Sequence, residues 1–268
     1  MLLTLLDRLL GLFGLTRTQV RWRWRRLREE AGEGRLLSRL GQWVLPEGGY
    51  RYTATIAAIN VVLFAAAVAI ARSPEALLGV PASIMVRLGA WTVPHVSEGQ
   101  AWRMVTAVFL HFGALHLLFN SMALLQLGPL LEEMVGRSRF LVLYVGSGVA
   151  GFAVSIAWRS GGPEALFSVG AGASGAIFGL IGAALVASRR GGGRLAIHLR
   201  GYVTQWAIYG LVMGWFLGAD NAAHVGGLAS GALFAWLTLD RAPRRGWLLL
   251  ELACLAAVVA SFGLAAVS

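Results

Sequence analysis

Gly170-Ala-Gly-Ala-Ser174-Gly-Ala-Ile-Phe-Gly179 opens a long apolar stretch of the chain, and a second such stretch opens fifty residues later at His224. A hydroxyl among apolar residues usually does no more than satisfy a helix-packing interface. An imidazole near the same membrane depth changes that reading, because an ionisable group inside a bilayer is costly and marks function. Together the two side chains predict a nucleophile and its general base.

Composition supplies the membrane setting. Of 268 residues 57% are hydrophobic and 13% charged, against roughly 25% charged in a soluble domain. Seven apolar spans are expected, at Thr53–Ala71, Ala107–Leu131, Phe140–Trp158, Gly172–Ala187, Tyr202–Leu217, Ala222–Leu239 and Trp247–Val267. Each is near the length needed to cross about 30 Å of hydrocarbon. The fold class that follows is an all-α polytopic membrane protein.

The net charge of +10 raises the question of nucleic acid, and its distribution answers it. The chain has no lysine, so arginine sets the topology. A cytoplasmic N-terminus puts ten arginines of the first 53 residues inside, with Arg137, Arg139, Arg189, Arg190, Arg194, Arg200, Arg241, Arg244 and Arg245. Only Arg72, Arg87, Arg103 and Arg159 then lie outside. Ser174 and His224, at the starts of spans four and six, fall near the external face. The absence of lysine also suggests a GC-rich genome, and so a bacterial plasma membrane.

Residues 1–52 read as a separate cytoplasmic region. Thr4, Asp7, Arg8 and Gly11 share one helical face among leucines and Phe13, the pattern of a helix lying in the interface. No basic stretch precedes that apolar run, which argues against a secretory signal. Arg21-Trp22-Arg23-Trp24-Arg25-Arg26 follows; beside a membrane its expected partner is anionic lipid, not nucleic acid. Residues 72 to 106, with Pro81, Trp91, Pro94, Trp102 and Arg103, form the long external connection and suit a segment lying in the interface. Cys254 is the single cysteine, so no internal disulfide is possible.

In His111-Phe-Gly-Ala-Leu-His116-Leu-Leu-Phe-Asn120 the i, i+4 spacing puts His116 and Asn120 on one face of span two, with His111 at its entrance. A metal site is not expected: there is no His-Glu-x-x-His run, asparagine is a poor zinc ligand, and Glu132 and Glu133 lie at the other end of the span. The better reading makes His116 and Asn120 hydrogen-bond donors. Charge develops on a carbonyl oxygen under nucleophilic attack, and a donor aimed there stabilises the transition state by about 3 kcal/mol. A helix amino terminus at Ser174 adds its own unpaired N–H groups. The bland alternative is that both side chains merely bond across helices.

Glycines show how the serine and histidine could meet. Gly175, Gly179 and Gly182 share one stripe of span four, and His224, Gly227 and Gly231 share one stripe of span six. Small residues at this spacing let helices approach closely in lipid.

With these motifs in order, the chain resembles the rhomboid family of intramembrane serine proteases over roughly residues 50–239. Trp102-Arg103 matches the family's external-loop pair, and His111-x4-His116-x3-Asn120 its second-span motif. Leu127-Gly128-Pro-Leu-Leu-Glu132 resembles the exit from that span. Gly172-Ala-Ser174-Gly175 matches the nucleophile motif, and Ala223-His224-Val-Gly-Gly227-Leu-Ala-Ser-Gly231 the base motif. The resemblance implies a six-helix core at 53–239 and a seventh helix at 240–268. It implies that Ser174 attacks the scissile carbonyl, that His224 is base and then acid, and that His116, Asn120 and the Ser174 backbone hold the oxyanion. Trp102, Arg103 and Glu132 would be structural. The family's usual tyrosine four residues after the serine is Phe178 here, which keeps the stacking ring and lacks the hydroxyl. Asp220, four residues before His224, is a candidate third member of the dyad.

No cofactor or obligate partner is implied, and the substrates would be single-span membrane proteins cut near their external ends. The Gly-Ala-Gly run before Ser174 suits a water-filled cavity, since irregular backbone at membrane depth needs one or a protein shell. Two alternatives use the same residues. One is a catalytically inactive relative that binds membrane clients; the other is a small transporter, which would normally show duplicated halves.

Overall fold

The computed structural model describes residues 51–191, 193–239 and 244–268. The expected interfacial helix and the Arg21–Arg26 run lie outside these residues. In chain order the elements are α1 (Arg51–Ala71), a 3-10 turn at Pro74–Leu77, α2 (Ala82–Arg87), β1 (Trp91–Thr92), α3 (Val93–Ser97) and α4 (Arg103–Thr106). A 3-10 turn at Ala107–Phe109 leads into α5 (Ala114–Val135), α6 (Arg137–Arg159), a 3-10 turn at Pro163–Leu166 and β2 (Val169–Gly170). Four long helices complete the chain: α7 (Ser174–Arg190), α8 (Gly193–Leu217), α9 (Asn221–Thr238) and α10 (Arg244–Val267).

The fold is all-α, and among the described residues the strands are limited to one short antiparallel pair, Trp91 opposite Gly170 and Thr92 opposite Val169. Four helices are long and apolar enough to cross a membrane, at Arg51–Ala71, Ala114–Val135, Arg137–Arg159 and Gly246–Val267. The other three long helices, α7, α8 and α9, fall where spans four to six are expected.

Two expected boundaries shift. The second span, expected from Ala107, has its helix start at Ala114; Ala107–Phe109 is a 3-10 turn and Gly113, in extended backbone, caps the helix. Buried apolar residues at Val108, Phe109 and Leu110 made that turn indistinguishable from helix by hydropathy. The fifth, expected from Tyr202, starts at Gly193 and takes in Arg194, His198 and Arg200. Hydropathy reports the apolar part of a helix, whereas hydrogen bonding continues into its polar turns. The connection at 72–106 is folded into α2, β1, α3 and α4.

α7 lies at the centre. Every residue from Gly175 to Ala184 is buried, as expected for a helix apolar on all sides. Its 17 residues span about 26 Å at 1.5 Å per residue, short of the ~30 Å hydrocarbon layer. Ser174 is its first residue.

The glycine stripes of α7 and α9 face one another. A Cβ at Gly227 would collide with the carbonyl oxygen of Gly175, one at Gly231 with that of Gly179, and one at Gly182 with that of Leu228. On the other flank of α9, a Cβ at Gly151 of α6 would lie 2.6 Å from the Ala223 carbonyl oxygen. Backbones touch throughout this trio of helices.

At the far end of α5 a polar cluster ties helices together. Glu132 accepts from the backbone N–H groups of Tyr52 and Thr53 and from Thr53 Oγ1, each at 2.9 Å. These are N–H groups of the first turn of α1, which no intrahelical carbonyl can satisfy. Glu251 of α10 accepts from the Tyr52 hydroxyl and from Ser138 Oγ of α6. At the other end of α10, Phe262 packs against Phe109 with ring centroids 5.9 Å apart.

Candidate active site

The loop that delivers Ser174 is held on both sides. β2 pairs with β1, and the Trp91 indole fills the space that any side chain at Gly170 would need. Gly172 takes φ of +138°, a conformation open to glycine and strained for other residues. Its N–H donates to the Ala107 carbonyl at 2.9 Å. A Cβ at Gly172 would lie 2.8 Å from His116 Nε2 and 3.8 Å from Ser174 Oγ. Glycine therefore leaves the imidazole of His116 and the hydroxyl of Ser174 both facing the space that a side chain at 172 would fill.

His224 meets that hydroxyl from the first turn of α9. Its Nε2 is 2.9 Å from Ser174 Oγ, and the residue is buried. The ring stacks on Phe178, centroids 4.4 Å apart and planes 6° from parallel, so the phenyl ring alone provides the platform. Phe178 in turn abuts Gly210 of α8, where a Cβ would lie 2.7 Å from its Cζ.

Asn221 fixes which imidazole nitrogen carries the proton. Its Nδ2 donates to the Leu211 carbonyl at 3.1 Å, and a carbonyl can only accept. Oδ1 is thereby turned to His224 Nδ1, 2.9 Å away. Facing an acceptor, Nδ1 is the protonated nitrogen, and the Nε2 lone pair is left for the Ser174 hydroxyl. Sequence reasoning missed Asn221. The available signal was its spacing: three residues before His224 on the same helix puts it on the same face.

Asp220 does not contact the ring. Its carboxylate caps α9 by accepting from the Ala223 N–H at 3.1 Å, accepts from Ser155 Oγ, and pairs with Arg159 at 3.7 Å. The side chain that faces His224 Nδ1 is Asn221, not Asp220.

The other expected residues divide between the pocket and its supports. His116 lies beside Gly172, stacked on Phe112 at 6.2 Å and edge-on to the buried His111 at 5.1 Å. Asn120 is buried and its Nδ2 donates to the His116 carbonyl at 3.0 Å. His111 Nδ1 is 3.3 Å from the Phe109 carbonyl. Gly175 and Gly227 form the α7–α9 contact directly below the Ser174–His224 pair, and Gly231 repeats it one turn on. Arg103 sits outside the pocket, donating through Nη1 to the Val86 and Ala90 carbonyls at 2.6 and 3.3 Å and through Nε to Gln100 at 2.7 Å, with Trp102 packed against its guanidinium. Glu132 is at the opposite end of α5. Among the described residues no three His, Cys, Asp or Glu side chains converge as metal ligands.

Residues 98–241, more than half of the chain, match the Rhomboid domain. RHOMBOID-like protein 5 of Arabidopsis thaliana is 34% identical over 187 residues, covering 64% of this chain and 54% of that protein. The putative rhomboid protease YdcA of Bacillus subtilis is 35% identical over 151 residues, 56% of this chain and 73% of its own length. Rhomboid protease GluP of the same organism is 34% identical over 180 residues, 66% of this chain and 34% of its own. The matched segment thus spans about half the length of the plant relative and a third of GluP.

Proposed function

The chain belongs to the rhomboid family of integral membrane proteins, and on that premise we propose that it is an intramembrane serine protease using a Ser174–His224 dyad. The observation that carries this reading is the 2.9 Å contact between His224 Nε2 and Ser174 Oγ, made by side chains fifty residues apart.

In this reading the scissile carbonyl of a single-span membrane protein lies above Ser174. As Oγ bonds to the carbonyl carbon, its proton passes to His224 Nε2, and the carbonyl oxygen becomes an oxyanion. The Asn221 acceptor stabilises the imidazolium through Nδ1–H. The oxyanion takes hydrogen bonds from the Ser174 N–H at the start of α7, from the His116 ring and from the second N–H of Asn120, which donates only one to the helix backbone. His224 then gives its proton to the leaving amine, and the C–N bond breaks. Water, deprotonated by the same imidazole, attacks the acyl-enzyme and frees Ser174.

The place of Ser174 at the start of α7 and the glycine at position 172 beside it support this chemistry, because no side chain at 172 crowds the hydroxyl. Susceptible substrate helices would contain glycine or other weak helix formers near the cut, since a hydrogen-bonded backbone must unwind to reach Oγ. The arginine distribution supports an external-facing site, with anionic lipid as the neighbour of the basic N-terminal region.

The test is fluorophosphonate labelling together with cleavage of a reporter single-span substrate in proteoliposomes. Labelled, active wild type and unlabelled, inactive Ser174→Ala are expected. Equal labelling of Ser174→Ala, or a well-folded wild type that neither labels nor cleaves, would overturn the proposal and favour a client-binding protein.

A further inference from the structure

One stripe of α6 tracks the first turn of α9. Gly151, Ser155 and Arg159 recur at intervals of four and so face the same way. At Gly151 the backbones of the two helices touch. One turn on, Ser155 Oγ donates to Asp220 Oδ2. At the next turn Arg159 donates through Nε to Ser155 Oγ at 3.2 Å and reaches Asp220 Oδ1 with Nη2 at 3.7 Å. The same Oδ1 accepts the Ala223 N–H, next to His224 in sequence. The pair is partly accessible, the two side chains being 29% and 21% exposed.

The placement of the charges is favourable at both helices. Arg159 ends α6, where the helix presents carbonyls and partial negative charge; Asp220 begins α9, where N–H groups present partial positive charge. The two ends would otherwise meet with unsatisfied groups. The preceding connection from α8 is a tight turn through Gly218, at φ of +68°, and α8 holds the same end of α9 through the Asn221 Nδ2 bond to the Leu211 carbonyl.

We propose that Arg159, Ser155 and Asp220 form a latch that sets the rotation of the first turn of α9, and hence the aim of His224 Nε2 at Ser174 Oγ. These are positioning residues, acting through Asn221 and His224, which lie within one turn of the cap. The proposal rests on the protease reading of that pair. A rotation confined to the first turn of α9 would part Nε2 from Oγ while the glycine contacts deeper in the helix persist. The loss would therefore appear in the chemical step and not in substrate affinity.

The experiment compares wild type with Asp220→Asn, Arg159→Gln, the double variant and Arg159→Lys, by steady-state cleavage of the reporter substrate, fluorophosphonate labelling rate and melting temperature. Asp220→Asn keeps the cap and the acceptor for Ser155 but removes the charge. Each single variant should lower kcat and the labelling rate about fivefold with KM within twofold. The double variant should match the singles, and Arg159→Lys should recover at least half of the loss. Labelling rates equal to wild type, losses confined to KM or to melting temperature, or multiplying losses in the double variant would each overturn the latch. A wild type that fails to label removes the protease reading itself, whereas labelled wild type with unaffected variants removes only the latch. Should Asp220→Asn not fold, Ser155→Ala tests the same link through the same readouts.

Discussion

α7 and α9 meet backbone to backbone, whereas α8, their neighbour, leans on the site through two glycines and turns much of its surface outward. In the first pair there is no space for a methyl group at Gly227, Gly231 or Gly182. In α8, Trp215 and Phe216 are 80% and 77% exposed, although Gly210 and Gly214 touch Phe178 and the Asn221–His224 pair. The difference teaches where accuracy is kept. Ser174 and His224 are fixed by elements that cannot slide without a backbone clash, while the helix that covers them contributes surface to the lipid.

The harshest way to break that contrast is Gly227→Val. Overpacking of this kind costs about 1–3 kcal/mol, and here the displaced group is backbone, so stability should fall by at least that much. Parting α7 from α9 also parts Oγ from Nε2, and cleavage should drop at least about a hundredfold, the order of a lost general base. A variant with near-normal turnover would show that the seam does not govern the dyad.

Next in size is Asn221→Ala. It removes two hydrogen bonds, to His224 Nδ1 and to the Leu211 carbonyl, each worth about 0.5–1.5 kcal/mol, and frees the imidazole to adopt the other tautomer. We expect kcat to fall about five- to tenfold with KM preserved, read from steady-state cleavage. Unchanged kcat would mean that the ring is held by the Phe178 stack alone.

The serine, the histidine and the glycine stripes are legible in the sequence because each departs from a strong background: polar groups in apolar runs, and small residues at helical spacing. Asn221 is not, since asparagine beside a helix start reads as a cap. Asp220 misleads for the same reason, being the cap in fact while standing one turn from His224. Glu251 gives no warning of its partners, which lie 199 and 113 residues away in the chain. Hydropathy places the long helices but misplaces the starts of α5 and α8, because a buried 3-10 turn and a polar helical turn both violate its single assumption.

Two smaller effects sharpen the comparison within α8. A Cβ at Gly214 would reach both Asn221 Oδ1 and, at 3.3 Å, His224 Cε1. Gly214→Ala should therefore slow the fluorophosphonate reaction about threefold, through a disturbed hydrogen bond of ordinary strength. Trp215→Ala, on the exposed surface of the same helix, should change labelling by less than twofold, as surface substitutions generally cost within ±0.5 kcal/mol. If the order of these two were reversed, the outward face of α8 would matter more to the dyad than its inward glycines.

The carboxylate of Glu251 bears on the modularity of the last helix. Trimming the protein after α9 would strip the acceptor from the half-buried Tyr52 and Ser138 and leave two hydroxyls without that partner. A shortened version is better designed as Tyr52→Phe with Ser138→Ala, so that the exposed seam has no polar debt to settle with lipid.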